Sequence, residues 1–491
     1  MNTVLRFENA LKWIKQNTIP NSGIAVTSGS GKPYCEVTGY LIPTLLNWQE
    51  TELALSYGQW LVSCQHESGC WGDPDENQPY AFDTGQVIKG LLALAKKTDK
   101  SIWIRPIKKA CEWIISHISE TGKPYVPDIA AWDAAIPPAV LLYSLESVRW
   151  AGEYLNEPYW IEKIDKSVDW FLSQKELTRF SHLSHFYGYI MDALCDLGHK
   201  DRAAEGMEII ARIQERTGII PAYPDVQWAC SPGIFQLAGV WYKLGNQKLG
   251  DAAFGFGEEL QNPSGGWFGS YGNNCSYFVD KEISWPVKFF MDTLQLKLKS
   301  NFEKMAPIFH EIIPPTDGRY ALVHDSICIS HPENVLDVGC GKGRYLKNLL
   351  EDFPDLSLHG TDLSVNVMLN LPQQIKKMQG SMLDLPYPDE YFDFVYTVEA
   401  LEHAVNVDGA LRELNRVLCP GGFMIIIDKN AKQLGRMELP SWEQWFGSVE
   451  LKKKLELVGL SVIVIDNIPY EGKADGLFSA WIAQKNFIKE Y

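Results

Sequence analysis

Apolar and polar positions alternate in two different ways along this 491-residue chain, and the change falls near residue 300. In the first part, amphipathic stretches at 11–16, 57–65, 111–115, 168–174, 209–214 and 254–261 each lead into a loop rich in glycine or proline. After each loop comes a stretch that is apolar almost all round, at 36–46, 82–94, 132–145, 185–197, 228–244 and 282–294. A helix that is hydrophobic on every face is buried among other helices. The second set therefore predicts inner helices and the first set outer ones. The pairs recur at roughly 45–55 residues, as repeat architectures do. Six outer–inner pairs predict a closed double ring of helices, an (α/α)6 toroid, over residues 1–300.

Beyond the segment 297–315 the period shortens. Strand-length apolar runs at 335–338, 356–362, 392–399 and 423–427 alternate with helical patterns at 344–353 and 411–418, and a short run at 379–384 ends in an acid. Strands alternating with helices predict parallel βαβ units with the ligand site at the carboxyl ends of the strands. The chain is thus read as two domains, an all-α toroid at 1–300 and a Rossmann-like α/β sheet at 301–491. No long linker separates them, which predicts that they pack together.

Candidate chemistry concentrates at the ends of these strands. Gly339, Gly341 and Gly343 stand between the first strand and a helix. Such a turn lets backbone approach a ligand without Cβ atoms in the way. Alone it is a weak signal, because nicotinamide and flavin sites use similar glycines. Asp362 follows 25 residues after Asp337, at the end of the second strand. A carboxylate there accepts hydrogen bonds from ribose hydroxyls.

The order DVGCGKG, TDLS, DLPYPDEYFDFVY, EALEHAVN, ELNRVLCPGG resembles the class I S-adenosylmethionine (SAM) methyltransferases, most of all the ubiquinone and menaquinone group. The resemblance covers about residues 302–487. It implies SAM as cofactor and a closing antiparallel hairpin from 460–468 and 477–484. It implies that Asp337, Gly339, Cys340, Gly341 and Gly343 surround the methionine part of SAM, that Asp362 holds the ribose and that Leu363 packs beside the adenine. Asp384 would bond the adenine amino group, with Met382 and Leu383 along the ring, and Glu399 would lie near the methyl group. His403 is the candidate general base, since histidine titrates near neutrality, with Glu399 the second catalytic candidate; a helix-start residue bonded to backbone is the other reading of His403. Trp442 and Trp445 would share a helix face after the fifth strand, lining an acceptor pocket or packing against the neighbouring domain.

The first three hundred residues resemble the α/α-toroid superfamily of terpenoid cyclases, protein prenyltransferases and many carbohydrate-active enzymes. The carriers are Gln65-x3-Gly-x-Trp71 and Gln261-x3-Gly-x-Trp267, a structural motif joining a helix end to a loop. Inner-helix starts face the ring mouth. There stand Tyr34, Glu36, Asp83, Trp132, Asp133, His182, His185, Tyr187, Asp225, Trp228, Glu282 and Trp285, with Tyr223 and Lys281 beside them. Indole faces stack on sugar rings and carboxylates bond their hydroxyls, so a carbohydrate suits this set. Paired acids also suit acid–base processing of the sugar. The bland alternative for Asp83, Asp133 and Glu282 is helix N-capping. Neither an Asp-x-Asp-Asp motif nor an Asp/Cys/His trio at zinc spacing is present, so cationic cyclisation, zinc-dependent prenyl transfer and a resident metal are not expected.

Composition narrows the partners. A net charge of −16 without a basic run argues against nucleic acid. No run of about 18 apolar residues exists, so no membrane span is expected. Ten scattered cysteines without a C-x-x-C pair, such as Cys111, Cys195 and Cys328 in apolar contexts, suggest reduced core thiols and a cytoplasmic protein. The expected activity is methylation of a hydroxyl on a carbohydrate or glycosylated intermediate of polysaccharide biosynthesis, with the toroid binding or processing the sugar. The alternatives are a prenylated or other lipophilic acceptor, or a toroid that only scaffolds.

Overall fold

Helices alternate between amphipathic and fully apolar in the N-terminal part of the computed structural model, which describes residues 2–73, 78–98, 101–125 and 136–487. The amphipathic helices are α1 (Thr3–Asn17), α3 (Thr51–Ser63), α5 (Ile104–Ser116), α7 (Pro158–Leu172), α9 (Lys200–Thr217) and α11 (Gln247–Glu259). Between them run α2 (Cys35–Asn47), α4 (Ala81–Thr98), α6 (Leu142–Leu155), α8 (Ser184–Asp196), α10 (Ser231–Lys243) and α12 (Ser284–Met305). In α10 every residue from Ser231 to Tyr242 is buried, whereas α9 buries one stripe. The chain divides into one compact unit at Leu5–Leu298 and another formed by Lys299–Tyr491 with Met1–Val4.

In the helical unit α2 packs on α4, α4 on α6, α6 on α8 and α8 on α10. Helix α12 then reaches both ends of this series. Thr293 Oγ1 donates to Phe235 O on α10 at 2.8 Å, and Thr44 Oγ1 on α2 donates to Asp292 Oδ1 at 2.6 Å. Glycine allows the close crossings: a Cβ on Gly39 would lie 2.7 Å from Val87 Cα, and one on Gly85 would lie 2.3 Å from Ser144 Cβ. The third inner helix starts later than the apolar pattern predicts. Pro137 and Pro138 lack amide donors, and Pro138 opens a 3-10 turn that leads into α6 at Leu142.

Two glutamine–tryptophan clamps tie helix ends to loops. Gln65 Nε2 donates to Gly69 O (2.7 Å) and Pro106 O (3.0 Å), and Trp71 Nε1 to Leu61 O (2.8 Å). Gln261 Nε2 donates to Arg6 O (2.8 Å) and Gly265 O (3.0 Å), and Trp267 Nε1 to Gly257 O (2.8 Å). Trp267→Phe keeps most of the ring packing and removes the indole hydrogen bond, leaving Gly257 O with the Leu260 N–H at 3.2 Å, a cost of about 1 kcal/mol. Urea unfolding followed by far-UV circular dichroism is expected to show that loss; an unchanged midpoint would mean the clamp contributes nothing.

The other unit is built on seven strands: β1 (Asn334–Val338), β2 (Ser357–Asp362), β3 (Lys376–Gln379), β4 (Phe392–Val398), β5 (Leu418–Lys429), β6 (Leu460–Tyr470) and β7 (Lys473–Lys485). Their order in the sheet is β6-β7-β5-β4-β1-β2-β3. Strands β1 to β5 pair in parallel, while β7 runs antiparallel to both β5 and β6. The chain leaves central β1 toward β2 and β3, then crosses back to β4. That reversal opens a crevice at the carboxyl ends of β1 and β4, where open α/β sheets bind ligands. Helices α13 (Gly318–Ser330), α14 (Arg344–Asp352), α15 (Val407–Val417) and α16 (Ser448–Leu457) complete this unit.

Trp442 and Trp445 do not sit on a helix, contrary to the sequence expectation. Phe446 N donates to Lys429 O and Ala431 N to Phe446 O, so the segment runs beside the end of β5 and α16 starts only at Ser448. The ten cysteines are free thiols; Cys111 and Cys195 are buried, but Cys328 lies exposed on α13. Among the described residues no helix is long and apolar enough to cross a membrane.

Candidate functional site

The turn after β1 is held from β2. Gly339 N and Cys340 N donate to Thr361 O at 2.8 and 3.0 Å, and Gly341 N donates to Asp362 Oδ2 at 2.9 Å. The second oxygen of Asp362 accepts from Ser364 N at 2.9 Å. Gly339, Gly341 and Gly343 all have positive φ (76°, 53° and 70°), which glycine adopts without steric cost. A Cβ on Gly341 would meet nothing within 4 Å, so the backbone here fronts open space. Asp337 is buried at the end of β1, and its Oδ2 has no hydrogen-bond partner. Burial pushes its carboxyl up to about 7. Burial also raises Asp362, against the backbone N–H groups of Ser364 and Gly341.

The other expected cofactor positions differ in their surroundings. The Cys340 thiol turns into the hydrophobic core instead of the turn's open side. Glu399 has φ 55° and receives Arg319 and Arg344, each at 2.6 Å, through Oε1. Burial would raise its pKa, but the Arg344 and Arg319 charges outweigh this and hold it low. A carboxylate locked between two guanidiniums is a structural anion, not a free base. Asp384 is exposed and Leu383 buried on a tight turn after β3, with Leu363 and Met382 half-buried.

His403 ends a short 3-10 turn (Leu401–His403) just past β4. Burial pushes its imidazole down to about 4, so the expectation of a histidine titrating near neutrality is not met. Around it stand Glu402, Lys429, Glu443 and Asp428. Lys429 Nζ donates to Glu402 Oε1 and, at 3.3 Å, to Glu443 Oε1. Trp445 Nε1 donates to Glu443 Oε1 at 2.8 Å, whereas the buried Trp442 Nε1 has no partner.

Comparison with known proteins decides what this sheet carries: residues 336–426 match the family described as a methyltransferase domain. The C-terminal unit holds a methyltransferase domain. The chain is 35% identical over 99 residues to the sterol 24-C-methyltransferase of Gibberella zeae, covering 18% of this chain and 25% of that protein. It is 26% identical over 167 residues to the demethylmenaquinone methyltransferase of Listeria welshimeri, covering 30% of this chain and 69% of that one. With the fatty-acid O-methyltransferase of Mycolicibacterium smegmatis it shares 31% over 125 residues, covering 24% and 44%. The chain thus spans from a quarter to about two thirds of these relatives. A solved SAM-dependent methyltransferase from Aquifex aeolicus covers 38% of this chain and 97% of its own at 22% identity, with a TM-score of 0.30.

SAM is the cofactor of this methyltransferase domain. The turn fits it on two counts: the open face of Gly341 leaves room for a ligand against backbone, and the orphaned Asp337 oxygen can accept from an ammonium. Asp362 keeps lone pairs beyond the two backbone donors it already serves.

The helical unit has a second cluster, in the first turns of four inner helices. Glu36, Asp83, His185 and Trp285 come together there, all but inaccessible to solvent. Trp285 Nε1 donates to Glu36 Oε1 at 3.1 Å, and the His185 ring lies 5.7 Å from that of Trp285. Sequence reasoning missed Tyr40, Tyr189 and Phe289, which complete the cluster. They follow Glu36, His185 and Trp285 by four residues, so the i,i+4 rule could have found them. Asp83 Oδ1 and Oδ2, Glu36 Oε2, His185 Nε2, Gln236 Nε2 and Tyr277 Oη are buried without hydrogen-bond partners. Burial pushes Asp83 up to about 7 and raises Glu36 well above the carboxylate range, while His185 falls to about 3.

Other expected positions lie elsewhere. Tyr187 Oη donates to Thr178 O and Gly206 O, toward α9. Glu282 is a loop clamp, accepting from Trp13 Nε1 and Asn262 Nδ2 at 2.8 Å. Trp228 packs in a separate apolar cluster with Leu183 and Cys230, its ring 5.9 Å from that of Tyr223. Asp225 and Lys281 are exposed, His182 is half-buried, and Tyr34 caps α2 beside Asp83. Trp132 and Asp133 lie outside the described residues.

Proposed function

We propose that this protein transfers the methyl group of SAM to a hydroxyl of a carbohydrate or glycosylated small molecule, and that its helical unit, an (α/α)6 toroid, binds the sugar. One observation carries the sugar reading: the unpartnered polar atoms of Asp83, Glu36, His185, Gln236 and Tyr277. Each costs about 1–3 kcal/mol while unpaired. A hydrocarbon chain would leave them so. A polyol offers donors and acceptors to several at once, and Trp285 and Phe289 supply apolar faces for its ring.

In the methyltransferase domain, Asp337 and the glycine turn would hold the amino-acid end of the cofactor, Asp362 its ribose, and Leu363, Met382, Leu383 and Asp384 its adenine. Bound SAM supplies an electrophilic methyl group. The chain's own task is then to align the acceptor and exclude water. His403 would face the acceptor as a neutral imidazole, and Glu399 would fix Arg319 and Arg344 around the same crevice.

A lipophilic acceptor is the second reading, favoured by the sterol, menaquinone and fatty-acid substrates in the names of the curated relatives. Saturation-transfer NMR on the full chain, with a panel of neutral sugars and a prenyl alcohol, separates the two. Sugar signals lost in Asp83→Ala and His185→Ala are the expected result. Binding of the prenyl alcohol alone would hand the role to the second reading, and binding of neither would leave the toroid a scaffold.

A further inference from the structure

The acidic cluster past β4 and β5 holds more carboxyl groups than its one cation can pair. Glu402, Glu443 and Asp428 are three carboxylates, and the Lys429 ammonium ties two of them. Arg319 and Arg344 are spent on Glu399. Asp428 is fully buried and neither of its oxygens has a hydrogen-bond partner. Glu402 is 1% exposed, and its Oε2 is unpartnered, as is His403 Nδ1. These atoms are shielded from solvent and meet no hydrogen-bond partner in the protein.

The donors are also close enough for a single ion. One ligand atom each from Glu402, His403 and Glu443 lies within 4.8 Å of the others. The two segments that carry them are pinned together: Gln444 N donates to Glu402 O at 2.8 Å, and Gln444 Nε2 to Ala404 O at 2.7 Å. The Trp445 indole orients Glu443 from outside, as second-layer hydrogen bonds orient metal ligands. The His403 side chain is 23% exposed, which leaves a path from solvent.

We infer that Glu402, His403 and Glu443 form a binding site for a divalent first-row metal cation, which displaces the Lys429 ammonium. Two carboxylates and an imidazole suit such an ion better than magnesium or calcium, which prefer all-oxygen sets. The role of the ion rests on the methyl-transfer reading: placed past β4, it would attract the oxygen of the acceptor hydroxyl. Such an ion would lower the pKa of the hydroxyl, so that its proton passes to water as the methyl group transfers, and His403 would serve as a ligand and not as the base.

Manganese(II) alone is the probe, added to the full chain without SAM or acceptor and followed by loss of the free-ion electron paramagnetic resonance signal. One ion per chain is expected. Glu443→Gln and Glu402→Gln should each weaken binding at least about tenfold, and Lys429→Met should tighten it by removing the competing charge. Calorimetric SAM binding, measured on the same variants, reports that the domain is folded and stands apart from the metal result. No saturable binding, binding unchanged in both glutamine variants, or binding weakened in Lys429→Met would each overturn the site. Loss of SAM binding in the unmodified protein would instead count against the methyltransferase reading.

Discussion

Asp362→Ala is expected to lower SAM affinity by one to two orders of magnitude or more. Each hydrogen bond from a ribose hydroxyl to a carboxylate is worth about 1.5–3 kcal/mol when its partner is removed. The variant loses more than those bonds. The same carboxylate accepts from Gly341 N and Ser364 N at 2.9 Å, so its removal also frees the backbone that shapes the turn. Calorimetry with SAM measures the change directly. Asp362→Asn is the informative companion, because it keeps the acceptor oxygen for one of the backbone donors while discarding the charge. It should fall between the wild type and alanine. Affinity close to wild type in both variants would remove Asp362 from the cofactor site.

A second large effect concerns pH. Burial holds the Asp83 carboxyl at about 7 in the folded protein, against 3.8 for the free group. An acid with a raised folded pKa keeps its proton in the native state while the unfolded chain releases it. Its penalty is therefore absent below pH 4 and grows as pH rises, reaching its full size above about 7. Three units at about 1.4 kcal/mol each set an upper bound of about 4 kcal/mol. Glu36, raised by burial and by Asp83, shifts the same way. The helical unit should lose stability between pH 5 and 8, and Asp83→Asn should flatten that slope and stabilise the protein by a few kcal/mol at pH 8. Urea titrations at both pH values give the comparison. If the variant is destabilised equally at pH 5 and 8, Asp83 contributes as a packed side chain and not as a strained acid. The same substitution should weaken sugar binding, so stability gained and ligand lost would move in opposite directions.

Local pattern carried most of the architecture. The strand runs around Val335 and Phe394 are mostly apolar because both faces of a central parallel strand are covered, and such runs are visible without a structure. The glycines of the turn after β1 were legible because only glycine adopts those positive φ values cheaply. The limits of α6 were not, since the apolar run continues across Pro137 and Pro138 while the helix cannot. The fate of Trp442 and Trp445 was hidden for a similar reason. A pair of aromatics three apart fits a helix face, yet backbone pairing of Phe446 with Lys429 and Ala431 keeps the segment extended.

The sequence by itself determined most of the helices and strands, which helix faces are buried, and where a cofactor turn must lie. These depend on periods of two and 3.6 and on single-residue backbone preferences, all of which act over a few neighbours. Only the tertiary structure decided which polar side chains meet. Glu282 and Glu36 look alike in sequence, each an acid at an inner-helix start, but Trp13 claims one and Trp285 the other. Glu443 lies 41 residues from Glu402, yet both answer to the same lysine. Burial then sets their charge: His403 beside them, which sequence alone places near neutrality, falls to about 4 once the fold removes its water.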